Sequence, residues 1–221
     1  MKSFRIFIFS SVVFFFSLTG GLTQNKALDV IKMLQKKYTT IRDFSAELRQ
    51  IQTFKFSDKP DTIKMTISLL KEDYFKIETS QMMLVTDGKI VKDYAIQEQQ
   101  ITIDDFSRTP NSFLPKDFLF EFPKKYTPVD FKRENRGKKT GYTIVMEPKK
   151  PDEEIMQTLQ VWIDAADSLV KYVHYTDFNN NSYIYFFNNY TVGNGFTPKD
   201  FELKIPAGVT PKIVDLRKKK E

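Results

Sequence analysis

The sequence predicts a mainly β fold of the α+β class, organised around an antiparallel meander with one apolar face. Between residues 62 and 103, apolar side chains alternate with polar or charged ones, which is the pattern of strands that bury one face. The apolar members of this alternation are Ile63, Met65, Ile67, Leu69, Phe75, Ile77, Ile101 and Ile103. Asp87-Gly88 lies between two apolar runs and is a two-residue hairpin signal. Together these observations indicate a strongly twisted sheet whose apolar face must be covered.

The first residues have the features of a secretory signal. Lys2 and Arg5 precede Ile6–Leu18, an apolar run too short to span a bilayer, and small or polar residues follow. Cleavage is expected after Gly21 or Thr23. We therefore predict a signal peptide over residues 1–23 and a single domain over residues 24–221.

Composition excludes several classes of function. The chain has no cysteine, which excludes disulfides, thiolate metal sites, a cysteine nucleophile and a lipid anchor on an N-terminal cysteine. It carries 34 basic and 28 acidic residues, and removal of Lys2 and Arg5 leaves a mild net charge of +4. The basic end Arg217–Lys220 fits a solvated terminus better than a nucleic-acid or membrane footprint. A soluble monomer without a nucleic-acid partner is expected.

The domain is predicted to open with an amphipathic helix. Asn25 is a candidate N-cap, and Thr39-Thr40 should end the helix because β-branched residues are poor helix formers. The apolar stripe comprises Ala27, Val30, Ile31, Leu34 and Tyr38. A strand then starts at Phe44 and runs towards Phe54 or Phe56, before a turn over Ser57–Asp61.

The segment Phe106–Pro123 interrupts the β pattern with many phenylalanines and three prolines. Prolines forbid a long helix but permit one short helix with Pro115 in its first turn. Two interpretations stay open, a lid over a cavity and an ordinary connection that packs on the core.

The second half of the chain returns to β structure, with no internal repeat. The predicted strands lie around Phe131, over Tyr142–Met146, Leu159–Ile163, Leu169–Tyr175 and Tyr183–Tyr190, and finally over Phe201–Ile205. Charged, proline-bearing or asparagine-rich turns separate them.

Residues with catalytic or metal-binding chemistry are scarce. The single histidine, His174, lies inside a predicted strand, and a zinc site without a second histidine or a cysteine is rare. Asp164 and Asp167 lie beside a hairpin, where paired carboxylates usually stabilise the turn and do not act in catalysis. The nucleophile-elbow, P-loop and dinucleotide-binding motifs do not occur. The sequence therefore predicts neither an enzyme nor a cofactor.

The remaining signal is the apolar face itself. A curled sheet under a lid encloses a ligand-sized cavity, whereas the alternative is an ordinary sandwich core. Met82-Met83 favours the cavity, because unbranched methionine side chains suit a surface that adapts to variable apolar cargo.

Five segments in order resemble those of a known family. These are IRDFSAELRQ (Ile41–Gln50), LLKEDYFKIE (Leu69–Glu78), LVTDGKIVKDY (Leu84–Tyr94) with EQQITI (Glu98–Ile103), and FELKIPAGV (Phe201–Val209). With the signal peptide and the absence of an anchoring cysteine, the chain resembles the LolA family of periplasmic lipoprotein carriers over residues 24–221.

The resemblance implies an incomplete, strongly curved antiparallel β-barrel, a half-barrel covered by short lid helices that enclose an apolar cavity. It also implies a soluble chaperone of the Gram-negative periplasm that serves outer-membrane biogenesis. Its implied partners are triacylated lipoproteins, an inner-membrane lipoprotein-releasing ABC transporter, and an outer-membrane acceptor or the membrane itself. A LolA-like carrier of another lipid or apolar molecule, and a lipoprotein-sensing domain, are the alternatives.

One position departs from the family pattern. The family has an Arg-Pro pair before the phenylalanine of the third strand, and that arginine holds the lid. Here Lys71 and Glu72 occupy these positions, while Phe75 is retained. Lysine is a point charge without the planar fork of arginine, so Lys71 is predicted to be a weaker lid contact.

The predicted ligand site consists of a wall and a lid. Inward-facing alternation assigns to the wall Leu48, Ile63, Met65, Ile67, Leu69, Phe75, Ile77, Leu84, Ile101, Ile103 and Val161. The lid contributes Phe113, Phe118 and Leu119. A slip of one residue in any strand would exchange its two faces.

Overall fold

The computed structural model describes residues 19–57, 59–71, 74–106 and 122–217. Helix α1 spans Thr19–Thr40, and a one-turn helix α2 spans Phe122–Lys125. The strands are Asp43–Thr53 (β1), Asp61–Leu70 (β2), Tyr74–Glu78 (β3), Met82–Asp87 (β4), Ile90–Ala95 (β5), Gln100–Asp105 (β6), Tyr126–Arg136 (β7), Lys139–Pro148 (β8), Met156–Asp164 (β9), Val170–Asp177 (β10), Ser182–Val192 (β11) and Lys212–Asp215 (β12). Single 3-10 turns occupy Pro151–Glu153 and Pro198–Phe201.

All twelve strands belong to one curved sheet that does not close. Their order is β12-β6-β5-β4-β3-β2-β1-β11-β10-β9-β8-β7, so β12 and β7 are the two edges. Every pairing is antiparallel except that of β12 with β6. The prediction of a mainly β, open half-barrel is confirmed.

The two faces of the sheet differ in what covers them. On β1, Phe44, Ala46 and Leu48 are buried on one side, while Ser45 and Glu47 point to the other. We call these the inner and the outer face. The predicted stripe of α1 is buried against the inner face, where Leu34 is 0% exposed and Tyr38 meets the ring of Phe44 edge-on. The main core therefore lies between α1 and strands β1, β2 and β7–β11.

The limits of α1 agree with the prediction at one end only. The helix ends at Thr40 as expected, and the hydroxyls of Thr39 and Thr40 donate to the carbonyl oxygens of Lys36 and Lys37, each at 2.7 Å. Its start is Thr19, so Asn25 lies inside the helix and the predicted N-cap is wrong. No proline separates Thr19 from Asn25, so nothing in this stretch forces the helix to begin later.

The last predicted strand is also wrong. The residues around Phe201–Ile205 form a 3-10 turn and irregular chain, because Phe201 packs against the outer face of the sheet, between Tyr74 and Phe196, instead of joining the sheet. Residues 193–211 cross the outer face from β11 to the far edge, where β12 pairs with β6. We call this segment the C-terminal strap.

Candidate functional site

The strand register brings most of the predicted wall residues onto the inner face. Leu48 is opposite Met65, Ile67 is opposite Ile77, and Ile77 is opposite Leu84. Paired residues point to the same side of a sheet. The inner face therefore carries Leu48, Ile63, Met65, Ile67, Leu69, Phe75, Ile77, Leu84 and Val161.

These residues do not all have the same degree of burial. Val161 is 0% exposed, and it lies with Leu48 and Ile67 in the packed core cluster that includes α1. Val161 is thus part of the core under the helix, where a ligand would have to displace packed side chains. Half-buried apolar residues extend the same face over β2, β3 and β4; they are Ile63, Met65, Leu69, Ile77 and Leu84. We call these five the apolar patch.

Ile101 and Ile103 are placed on the outer face. Ile101 is opposite Tyr94 and Ile103 is opposite Lys92, whereas Leu84 is opposite Asp93, which is opposite Thr102. The prediction that both isoleucines line the same wall as Leu84 is corrected by this register. Alternation shows that successive residues of a strand point to opposite faces, but it does not show which set points inwards. In β6 the set that points inwards is the opposite of the one expected.

The inner face becomes polar where the apolar patch ends. Asp93 and Thr102 continue the row of Ile77 and Leu84 across β5 and β6. Atom Oδ1 of Asp93 is buried and accepts no hydrogen bond in the described part of the chain. Burial raises the pKa of this carboxyl, because it penalises the charged form. Sequence reasoning missed Asp93 and Thr102 because the parity of β5 and β6 was not visible.

Asp93 should make stability depend on pH in a defined direction. A carboxyl whose pKa is raised by folding binds protons more readily in the native state, so it favours folding as pH falls from neutrality towards its unfolded-state value of about 3.9. We expect Asp93→Asn to raise the free energy of unfolding at pH 7 and to lose this advantage near pH 4. Urea unfolding of both proteins at the two pH values measures the difference, and a constant difference would contradict the prediction.

Lys71 contacts the end of α1. Its ammonium donates to the carbonyl oxygen of Thr39, and its backbone N–H donates to the carbonyl oxygen of Arg42 at 2.8 Å. A cation at a helix C-terminus stabilises the orphan carbonyls and the helix dipole. The structure thus gives Lys71 a contact with α1, while the predicted lid residues Phe113, Phe118 and Leu119, and also Glu72, lie outside the described residues.

Loss of the Lys71 ammonium should weaken this attachment. We expect Lys71→Met to lower the free energy of unfolding by about 0.5–1 kcal/mol, the usual effect of a cation at a helix C-terminus. Lys71→Arg should retain most of the stability, because it keeps the positive charge. Urea unfolding of the three proteins at low salt tests this, and equal stabilities would show that the contact contributes nothing.

The titratable residues singled out in the sequence have structural contacts. His174 lies on the outer face, where a ring nitrogen is 3.0 Å from the hydroxyl of Ser182 and burial lowers the pKa of the imidazole. Asp164 accepts from the Lys139 ammonium at 3.0 Å and from the N–H of Ala166 at 3.0 Å, and these contacts hold a hairpin. Among the described residues, no group of three or more His, Cys, Asp or Glu side chains is placed to hold a metal ion.

Within the described residues, no helix combines the length and the apolar character that a membrane span requires.

Neither a protein-family model nor a curated protein matches this sequence. Solved structures do resemble it. One is an uncharacterized conserved protein from Thermus thermophilus, with a TM-score of 0.56 and 12% identity over 86% of this chain and 99% of that chain. This likeness establishes a shared fold.

Two further solved structures are more distant. A DUF1329 family protein from Desulfovibrio piger has a TM-score of 0.48 and 13% identity over 81% of this chain and 97% of its own. A LolA superfamily protein from Nitrosomonas europaea has a TM-score of 0.40 and 8% identity, covering 78% of this chain and 97% of its own.

Proposed function

We propose that this protein is a non-enzymatic periplasmic carrier that shelters the acyl chains of triacylated lipoproteins. The observation that carries the proposal is the apolar patch, whose half-buried side chains continue the apolar inner face at the border of the core packed under α1. In this proposal, the carrier receives its cargo from an inner-membrane ABC transporter and passes it to an outer-membrane acceptor. The predicted signal peptide supports export to the periplasm.

The energetics of acyl chains support such a role. Each CH₂ group kept out of water contributes about 0.8 kcal/mol, so a chain of a dozen methylenes favours shelter by roughly 10 kcal/mol. Met65 and the half-buried leucines Leu69 and Leu84 present flexible apolar surface on one face. Binding of this kind needs no reacting group.

The proposed site combines the patch with a cover. Phe113, Phe118 and Leu119 belong to the segment that joins β6 to α2 in the sequence, and we propose that they close over the patch. Transfer requires that the closed state be only slightly more stable than the open state, because the cargo must leave again.

A carrier of a different amphiphile is the second candidate. Asp93 and Thr102 border the apolar patch on the inner face, and the Asp93 carboxyl lacks a partner among the described residues. A polar pair beside an apolar surface favours a ligand that has an apolar chain and a polar head group that donates a hydrogen bond.

Native mass spectrometry distinguishes the two candidates. The mature protein is incubated with spheroplasts that hold lipoproteins in the inner membrane, then recovered and weighed intact. A one-to-one complex with a released triacylated lipoprotein is expected. A bound small amphiphile, with no lipoprotein released from spheroplasts that contain the transporter, would move the function to the second candidate. Spheroplasts depleted of the transporter provide the control.

A further inference from the structure

The outer face carries a cleft that the inner-face proposal does not use. It has a volume of about 900 Å³ and lies over β11, β1, β2 and β3, with the turn Thr79–Gln81 at one end. The register aligns Asn188, Glu47, Thr66 and Glu78 in one row across these strands, with Arg49 and Lys64 in the next row. Leu48, Ile63 and Met65 also border the cleft, although the register turns their side chains to the inner face.

The charges of this cleft are unevenly paired. Arg49 and Lys64 lie directly opposite each other on β1 and β2, an arrangement of like charges that destabilises a sheet. Neither cation has an ion-pair partner within 4.0 Å in the described part of the chain.

The two acids of the cleft are already engaged. Glu78 is 3.1 Å from the ammonium of Lys76, and Glu47 accepts from the Asn189 side-chain amide at 2.7 Å. The amide of Asn189 is neutral, so Glu47 keeps its negative charge, whereas Lys76 balances that of Glu78. Two cations, Arg49 and Lys64, then face one uncompensated carboxylate, so the net charge of the cleft is positive.

Arg49 is held in a definite orientation. Its guanidinium carbon lies 4.1 Å from the centroid of the Phe186 ring, and Phe186 is itself fixed by an edge contact with Tyr172 at 5.4 Å. Stacking uses the flat face of a guanidinium and leaves its N–H groups free to bind an oxyanion in a bidentate manner. A preorganised arginine beside an unpaired lysine is well suited to tetrahedral oxyanions.

We propose that this cleft binds a phosphate group, carried either by a phospholipid headgroup or by a soluble phosphate ester. Arg49 and Lys64 supply the positive charge. Thr62, Thr66, Ser80 and Asn188 line the same cleft and supply neutral hydrogen-bond donors. The side chains of Arg49 and Lys64 point to the opposite face from the apolar patch, although Ile63 and Met65 of the patch also border the cleft. Phosphate binding by these two cations goes beyond the proposed acyl-binding function.

Two probes identify the source of the phosphate. Inorganic phosphate is titrated into the mature protein while amide NMR shifts are followed, and vesicles of phosphatidylglycerol are tested by co-sedimentation against vesicles of phosphatidylcholine. Binding of both phosphate and phosphatidylglycerol vesicles, with phosphate competing against the vesicles, indicates a lipid headgroup. Binding of phosphate alone indicates a soluble ester. Failure of both probes overturns the proposal.

Matched variants assign the binding to these residues. Arg49→Gln and Lys64→Gln should each weaken binding tenfold or more, and Arg49→Lys should lose part of it because lysine lacks the planar fork. Lys138→Gln removes one exposed lysine at the β7–β8 turn, remote in the sheet order, and should leave binding unchanged. Equal weakening by all three glutamine variants would show attraction by net charge only and overturn the site. Arg49→Gln should still bind acyl chains. The outcome of the phosphate test is therefore separate from the outcome of the carrier test.

Discussion

Leu84→Glu is expected to abolish acyl binding while the protein remains folded. Leu84 is half-buried in the apolar patch, opposite Ile77 on the inner face. A bound chain would have to desolvate the new carboxylate, and burial of a charge without a partner is far more costly than burial of a neutral polar group. We therefore expect affinity for a fluorescent fatty acid to fall by at least about 100-fold, which corresponds to roughly 2.7 kcal/mol.

Met83→Glu is the matched control for this change. Met83 is the neighbouring residue of the same strand, is also half-buried, and faces the outer side opposite Glu78. It should leave acyl affinity within a factor of about three, because a chain on the inner face does not touch it. Circular dichroism and urea unfolding establish that both variants fold. Equal affinities of the two variants would remove the apolar patch from the binding site.

Gly141→Ala is expected to destabilise the protein strongly without touching either proposed site. A Cβ atom built on Gly141 would lie 2.5 Å from the indole ring of Trp162 and would overlap the carbonyl oxygen of Ile163. Trp162 is almost fully buried, and a backbone oxygen cannot move aside alone, so the β8–β9 pairing must shift. Overpacking typically costs about 1–3 kcal/mol, and we expect a value near the upper limit.

Thermal unfolding measures this effect. For a chain of this size, a loss of about 3 kcal/mol lowers Tm by roughly 6–12 °C. Gly137→Ala is the comparison, because no atom of the described residues, apart from the adjacent residues of the chain, lies within 4 Å of its added Cβ, and only the φ of +63° opposes the change. It should cost about 1 kcal/mol. If Gly141→Ala were the milder of the two, the Trp162 ring would have to be free to move.

The sequence pattern correctly predicted those helices and strands that depend only on residues close together in the chain. The stripe from Ala27 to Tyr38 and the alternation from Phe44 to Leu48 depend on adjacent positions, and both are confirmed. The end of the chain is different. Phe201 looked like a strand residue, yet its position is decided by Tyr74, more than a hundred residues earlier. No local pattern records such a contact.

The candidate site was predictable in part for the same reason. Eight wall residues from β1 to β4 have the expected face, because their alternation continues from one buried strand to the next. On β6, Thr102 points to the inner face and the two isoleucines point to the outer face. The assumption that the more hydrophobic residues face inwards therefore assigned the wrong face to this strand. Arg49 was unremarkable in the sequence, since its environment comes from Phe186 on a distant strand.

The position of β1 has a consequence for how the chain folds. Strands β2–β6 and β7–β11 each pair with neighbours in the sequence, whereas β1 joins the two groups through β11. Glu47 and Asn189, bonded across this seam, are 142 residues apart along the chain. Closing so long a loop is slow, so the two groups are expected to condense separately and join last. During synthesis, β1 then keeps one edge unpaired until residues 182–192 have emerged, and in that interval the nascent chain is most exposed to aggregation.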